Sequence, residues 1–155
     1  ADTVNVSLWG NDYFMWTDRG HHVVKSDDGD LLVSDVDLDI KRSHDDRFYL
    51  IVHRVALAST SKRARAIAED VGYNYLPSSD GLLLKNYLKI KDDNPYAFQE
   101  VNLTLLVPVG KSININETLK YMLYDVDNVT NTQDRRMVKH TWKMTKEGLT
   151  CTDCD

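Results

Sequence analysis

The amino-acid sequence predicts a mainly β fold of short strands and tight turns, with one amphipathic α-helix at about residues 60–71. Three observations carry this. The 24 acidic residues divide into 20 Asp and 4 Glu, joined by 10 Asn. Glu suits helix interiors, whereas Asp and Asn hydrogen-bond to nearby backbone and favour turns, caps and left-handed backbone. With 7 Gly and 3 Pro, the chain must draw most of its turn chemistry from Asp and Asn. The second observation is the recurrence of apolar residues at period two in several stretches. The third is that a single segment has a helical period. A length of 155 residues fits one domain, 1–155, and 42% apolar with 28% charged residues fits a globular chain, not a disordered one.

The elements follow in order. Val4, Val6 and Leu8 alternate with polar residues as in a half-buried strand. An aromatic group follows at Trp9, Tyr13, Phe14 and Trp16, and Asp27-Asp28-Gly29-Asp30 reads as a turn. Leu31–Val33 is a strand, after which Val36, Leu38 and Ile40 occupy one face and Asp35, Asp37 and Asp39 the other. His44-Asp45-Asp46 turns into a strand from Phe48 to about Ala56. From Thr60 to Val71, Ala64, Ile67, Ala68 and Val71 fall at i, i+3, i+4 and i+7, a helical stripe. Ser59, Thr60 or Ser61 can cap its start, and Gly72 stands where a left-handed C-terminal glycine belongs.

Strands resume after Tyr73 and Tyr75. Ser79-Asp80-Gly81 turns into Leu82–Ile90, and Asp92-Asp93-Asn94-Pro95 is a loop. Val101, Leu103, Leu105 and Val107 alternate up to Pro108, and Val109-Gly110-Lys111 turns into Ile113 and Ile115. Leu119–Tyr124 reads as a further strand, and Asp127-Asn128 with Asn131 as a loop. Val138, His140, Trp142 and Met144 alternate before Cys151-Thr152-Asp153-Cys154. About ten short strands at this spacing are typical of all-β architectures.

The segment Val101-Asn102-Leu103-Thr104-Leu105-Leu106-Val107-Pro108-Val109-Gly110-Lys111-Ser112-Ile113 resembles a recurring strand–turn–strand element of bacterial toast-rack domains. His140-Thr141-Trp142-Lys143-Met144-Thr145-Lys146-Glu147-Gly148-Leu149-Thr150-Cys151 resembles the end of the toast-rack domain of phage-shock-protein-C-related (PspC-related) membrane proteins of Bacteroidetes. The helix followed by Gly72-Tyr73-Asn74-Tyr75 resembles the insertion in those domains. The resemblance covers residues 30–155. It implies a β-solenoid-like stack of short strands, cut from a longer membrane-anchored protein of the envelope-stress type. It carries no catalytic residues.

Several residue groups could hold chemistry, and each has a plainer alternative. Asp35, Asp37 and Asp39 lie about 7 Å apart along a strand face and are candidate Ca²⁺ ligands. Their spacing opens like an EF-hand loop, but the sixth position is Ile40 where Gly is required and the twelfth is Asp46 where Glu is usual. A solvated outer face is the alternative. Cys151 and Cys154 form C-x-x-C with no helix to follow and no second pair, leaving a local disulfide, two incidental thiols, or a metal or redox site. Lys62, Arg63 and Arg65 make either a small basic patch or the solvated side of the helix. Trp9, Tyr13, Phe14 and Trp16 make either an interaction surface or a core plug. No nucleophile-elbow, zinc-protease or phosphate-loop motif occurs, so neither a catalytic residue nor a cofactor is expected.

The net charge of −5 gives no general attraction to nucleic acid or anionic lipid. No window approaches a membrane span, so this segment is not expected to insert itself, and the start at Ala1 has no signal-peptide pattern. Four N-x-[ST] sequons, at Asn5, Asn102, Asn116 and Asn128, are within what an Asn-rich chain produces by chance. The expected function is a non-enzymatic interaction or sensing module that meets a protein partner or a second copy of itself. The alternative is a carbohydrate-acting or carbohydrate-binding domain using the acidic strand face. The extracytoplasmic side of the membrane is favoured over the cytoplasmic one by the paired cysteines.

Overall fold

In the computed structural model, residues 1–10, 22–94 and 96–155 are described. Tyr13, Phe14 and Trp16 of the aromatic group lie outside them, as do His21 and Pro95. The described chain is mainly β, with twelve strands, two short α-helices and one 3-10 turn. The strands form three sheets.

The first sheet has the order β12-β11-β10-β1-β7-β6. It combines β1 (Thr3–Leu8), β6 (Tyr75–Pro77), β7 (Gly81–Leu84), β10 (Ser112–Ile115), β11 (Thr141–Thr145) and β12 (Gly148–Cys151). At its centre β1 runs parallel to both β7 and β10, with Val6 opposite Leu82 on one side and Ile115 on the other. The second sheet pairs β2 (Val23–Lys25), β3 (Leu31–Val33) and β8 (Leu88–Ile90), all antiparallel. The third has β9 (Glu100–Val107) between β4 (Val36–Arg42), parallel to it, and β5 (Tyr49–Val55), antiparallel.

Period-two patterning explains how these sheets meet. In β9 every second residue, Val101, Leu103, Leu105 and Val107, is buried, and the residues between are half-buried. Val36, Leu38 and Ile40 of β4 point the same way. With Val6, Leu84, Ile113, Trp142 and Leu149 from the first sheet and Val33, Leu88 and Ile90 from the second, they form one contiguous core. A sheet must bury its apolar face against another element, and here the inner faces serve one another.

The helix α1 spans Ser61–Glu69, and the Thr60 hydroxyl accepts a 3.2 Å hydrogen bond from the Arg63 N–H, as an N-cap should. Ala68 and, just beyond the helix, Val71 are buried, while Ala64 and Ile67 are partly so. The end differs from expectation. Gly72 is not in left-handed backbone; Asp70, in right-handed backbone, closes the helix. Gly72 instead exchanges two backbone hydrogen bonds with Lys89, of 2.9 and 2.8 Å, which tie the helix exit to β8. The ladder to a neighbouring strand has claimed the residue the cap would have used.

Two further expectations are corrected. The run Leu82–Ile90 is not one strand. It breaks at Lys85-Asn86-Tyr87, so that β7 joins the first sheet and β8 the second. Leu119–Tyr124 is not a ladder strand either. Glu117–Leu119 is a 3-10 turn, and the N–H groups of Met122 and Leu123 return to the Leu119 carbonyl at 2.9 and 3.3 Å. Leu119, Met122 and Leu123 are all buried, which is the i, i+3, i+4 spacing of a helical turn. This turn meets β4 at Leu38, opposite which Leu123 makes an isolated parallel bridge. The strand β2 and the one-turn helix α2 (Asp134–Met137) are additions to the expected elements.

Candidate functional site

The acidic strand face is not the open surface that its alternation implies. Asp35, just before β4, is buried, and Asp37 and Asp39 are half-buried. The reason is that β4 is covered on both edges: by β9 along its length, and at Leu38 by hydrogen bonds to Met122 (2.8 Å) and Tyr124 (3.0 Å). Nor do the three carboxylates converge as cation ligands would, among the described residues. Burial, with added repulsion from Asp127 and Asp125, outweighs the Ile40 N–H bond and Lys41 and lifts the Asp39 carboxyl above its usual value.

The folded chain therefore holds this proton more tightly than the unfolded one. Asp39's contribution to stability falls as pH rises from the unfolded value through the raised folded value, then stays level. Asp39→Asn should accordingly melt above the wild type at neutral pH, by the equivalent of less than about 1 kcal/mol because water still reaches the carboxyl. The gap should close once pH drops below the unfolded value. Thermal melts across that range check this, and a variant less stable than the wild type at neutral pH would contradict it.

A different surface combines accessibility with apolar character. The third sheet ends at β5, which is paired on one side only, among the described residues. Its inner residues Leu50 and Val52 pack against the core, while Tyr49 and Ile51 stand outward, 43% and 48% exposed. Beyond the strand, Leu57 is exposed, and its N–H donates to the Ala97 carbonyl at 2.9 Å. That bond brings in the segment carrying Tyr96 and Phe98, whose rings lie 5.2 Å apart, centroid to centroid. Phe98 is 64% exposed with φ of 53°, a left-handed conformation that bulky residues rarely adopt. The next side chain enforces it: buried Gln99 accepts a 2.7 Å hydrogen bond from the Ala97 N–H. Strain of this kind persists only where neighbours over-determine it, and it turns an aromatic ring into solvent.

Between β5 and α1 runs an open groove of about 440 Å³, lined by His53, Arg54, Ala56, Ala64, Arg65 and Glu69 among others. The Arg54 guanidinium donates to the Val71 carbonyl at 3.1 Å and so braces the helix exit against the strand. Of the basic residues singled out from sequence, Lys62, Arg63 and Arg65 are all exposed on α1, and Arg65 reaches this groove. Trp9 is half-buried, with the Lys85 ammonium 5.0 Å from its ring centroid.

The sequence did not single out Tyr49, Ile51, Leu57, Tyr96 or Phe98. One signal was present: Tyr49-Leu50-Ile51-Val52 is apolar on both strand faces, more than a strand with one buried face needs. The Phe98 backbone had no signal of its own.

At the C-terminus Cys151 and Cys154 are joined by a disulfide, with Cα atoms 5.7 Å apart. Asp153 accepts the Thr141 N–H at 3.0 Å and lies 3.2 Å from His140 Nδ1. The Thr141 bond first, and His140 after it, hold the Asp153 carboxyl below its usual value.

Among the described residues no helix is long and apolar enough to cross a membrane. No curated protein and no solved structure matches the chain. A family model described as a toast-rack found in some PspC matches residues 24–155, from within β2 to the last residue, and so takes in most of β2 and the turn before β3, which the sequence resemblance left out. The chain belongs to this family, the toast-rack domains found in some PspC proteins.

Proposed function

We propose that this toast-rack domain is a non-enzymatic interaction and sensing module of a membrane-anchored, envelope-stress-type protein, and that it meets a protein partner or a second copy along β5. The exposed edge strand supports this most. The seven-residue strand has one edge unpaired among the described residues, with Tyr49 and Ile51 outward and Leu57, Tyr96 and Phe98 beyond. A strand of this kind is a template for strand addition, and proteins usually blunt such edges unless they are used. The parallel pairings of β1 with β7 and β10, and of β4 with β9, support a solenoid-like stack as the rigid body behind this edge. The Cys151–Cys154 disulfide supports the extracytoplasmic side, because disulfides persist in oxidising compartments. Carbohydrate action on the acidic strand face has no comparable support, since Asp35 is buried and the carboxylates do not converge.

Ile51→Lys tests the reading. The position is exposed, so folding stability should change by no more than about 0.5 kcal/mol. Self-association in sedimentation velocity, or cross-linking to a partner from a photoreactive residue at position 49 in membranes, should weaken by about tenfold or more. A wild-type domain that stays monomeric at every concentration and yields no cross-link from that position would sink the proposal.

A further inference from the structure

The end of the β11–β12 hairpin gathers four side chains of metal-binding chemistry. His140, Cys151, Asp153 and Cys154 each place a ligand atom within 4.8 Å of the other three, the one such convergence among the described residues. We propose that these four form a zinc-type site for a divalent transition metal, open when the two cysteines are reduced and closed by their disulfide.

The argument is first one of spacing. C-x-x-C is the shortest of the cysteine spacings found in structural zinc sites. A tetrahedral ion with Zn–S near 2.3 Å and Zn–N near 2.0 Å sets its ligand atoms about 3.3–3.8 Å apart. Asp153 Oδ1 already lies 3.2 Å from His140 Nδ1 and 3.4 Å from Cys151 Sγ, and all four ligand atoms lie within 4.8 Å of one another, so the two bonded sulfurs need only part, by rotation of the freed cysteine side chains, to complete the set. Two thiolates, an imidazole and a carboxylate suit zinc and its neighbours, and not calcium or magnesium.

The frame is also rigid. Trp142 and Cys151 are register partners across β11 and β12, and the Thr152 N–H donates to the Thr141 carbonyl at 2.9 Å. The backbone around His140 is held from β10: the Ile115 N–H donates to the His140 carbonyl at 3.1 Å, and the Lys139 N–H to the Ile115 carbonyl at 2.7 Å. His140 and Asp153 already meet, at 3.2 Å. Cys154 and Asp153 are exposed and His140 and Cys151 half-buried, so an ion or a reductant can reach them from solvent.

The chemistry balances with a dithiol reductant. Its thiolate attacks the Cys151–Cys154 bond, and its second thiol resolves the mixed disulfide. The reductant leaves as its own disulfide, two electrons and two protons passing to the cysteines. Binding of M²⁺ then releases both thiol protons to solvent. Transfer of the two electrons back to a disulfide oxidant, with loss of the ion, restores the closed form. The hairpin end thus has two exclusive closures, covalent and metallic.

The test is a Co²⁺ titration of the whole chain, reduced with a phosphine so that no added thiol competes for the ion. The reduced chain should bind one Co²⁺ with a thiolate-to-cobalt charge-transfer band and the intense visible bands of a tetrahedral site, and Zn²⁺ should bleach both. The oxidised chain and the Cys151→Ser/Cys154→Ser variant should show neither. His140→Ala, with its fold checked by circular dichroism, should bind about tenfold or more weakly. A reduced chain without the charge-transfer band, an oxidised chain that binds equally well, or a His140→Ala variant of unchanged affinity would each overturn the proposal.

Discussion

Replacing Trp142 with alanine is expected to destabilise the domain by about 3–5 kcal/mol, the range for deleting a large buried aromatic ring. Trp142 has no exposed surface and is the second residue of β11, opposite Ile113 of β10 and Cys151 of β12. Its ring fills the core where the hairpin meets the rest of the first sheet. The indole N–H also donates to the Met137 carbonyl at 2.9 Å, fixing the end of α2 beneath the sheet. Two losses therefore add: a cavity, and a buried carbonyl without its donor. Trp142→Phe separates them, since it keeps most of the volume and should cost about 1–3 kcal/mol for the orphaned carbonyl. Denaturant unfolding of both variants measures the difference, and a loss below about 1 kcal/mol for the alanine variant would refute the assignment.

Leu38→Ala should be the second severe substitution, at about 2–5 kcal/mol. Leu38 is fully buried and belongs to two structures at once. It is the register partner of Leu103 in the parallel pairing of β4 with β9. Its N–H donates to the Met122 carbonyl, and its carbonyl accepts from Tyr124, so the turn at Leu119–Tyr124 docks on it. Truncation opens a cavity where β4, β9 and that turn meet. Leu57→Ala is the contrast: 64% exposed, it should change stability by no more than about 0.5 kcal/mol. Equal losses at the two positions would show that the core does not lie where β4 and β9 place it.

Both positions illustrate what was legible beforehand. Leu38 and Trp142 each stand in a strict alternation, and alternation alone assigns them to an inner face. The α1 stripe, a cap among Ser59, Thr60 and Ser61, and the turns at Gly29 and Gly110, both with positive φ, were equally local and equally readable. Leu119–Tyr124 failed because a short apolar run fits either period, and contact with Leu38 decided between them. Gly72 failed because a cap and a bridge compete for the same backbone groups, and only the position of Lys89 settles which forms.

The candidate site was less legible than the fold. Tyr49 and Ile51 look in sequence like any strand residues; they become a surface because β5 ends its sheet. His140 and Cys151 are eleven positions apart, and the return of the β11–β12 hairpin brings them together. Conversely, Asp35, Asp37 and Asp39 look exposed on any strand diagram, yet covering both edges of β4 draws them partly inward.

The sequence by itself determined that this protein is mainly β, where most strands begin and end, which residues face inward, and where the helix lies. Those properties follow from side-chain period and backbone preference within a few residues of each position. The tertiary structure decided which strand became an edge, which acids were buried, and which distant ligands converged. These depend on pairing between segments far apart in the chain, where many partners satisfy the same local pattern and only packing of the whole core selects one.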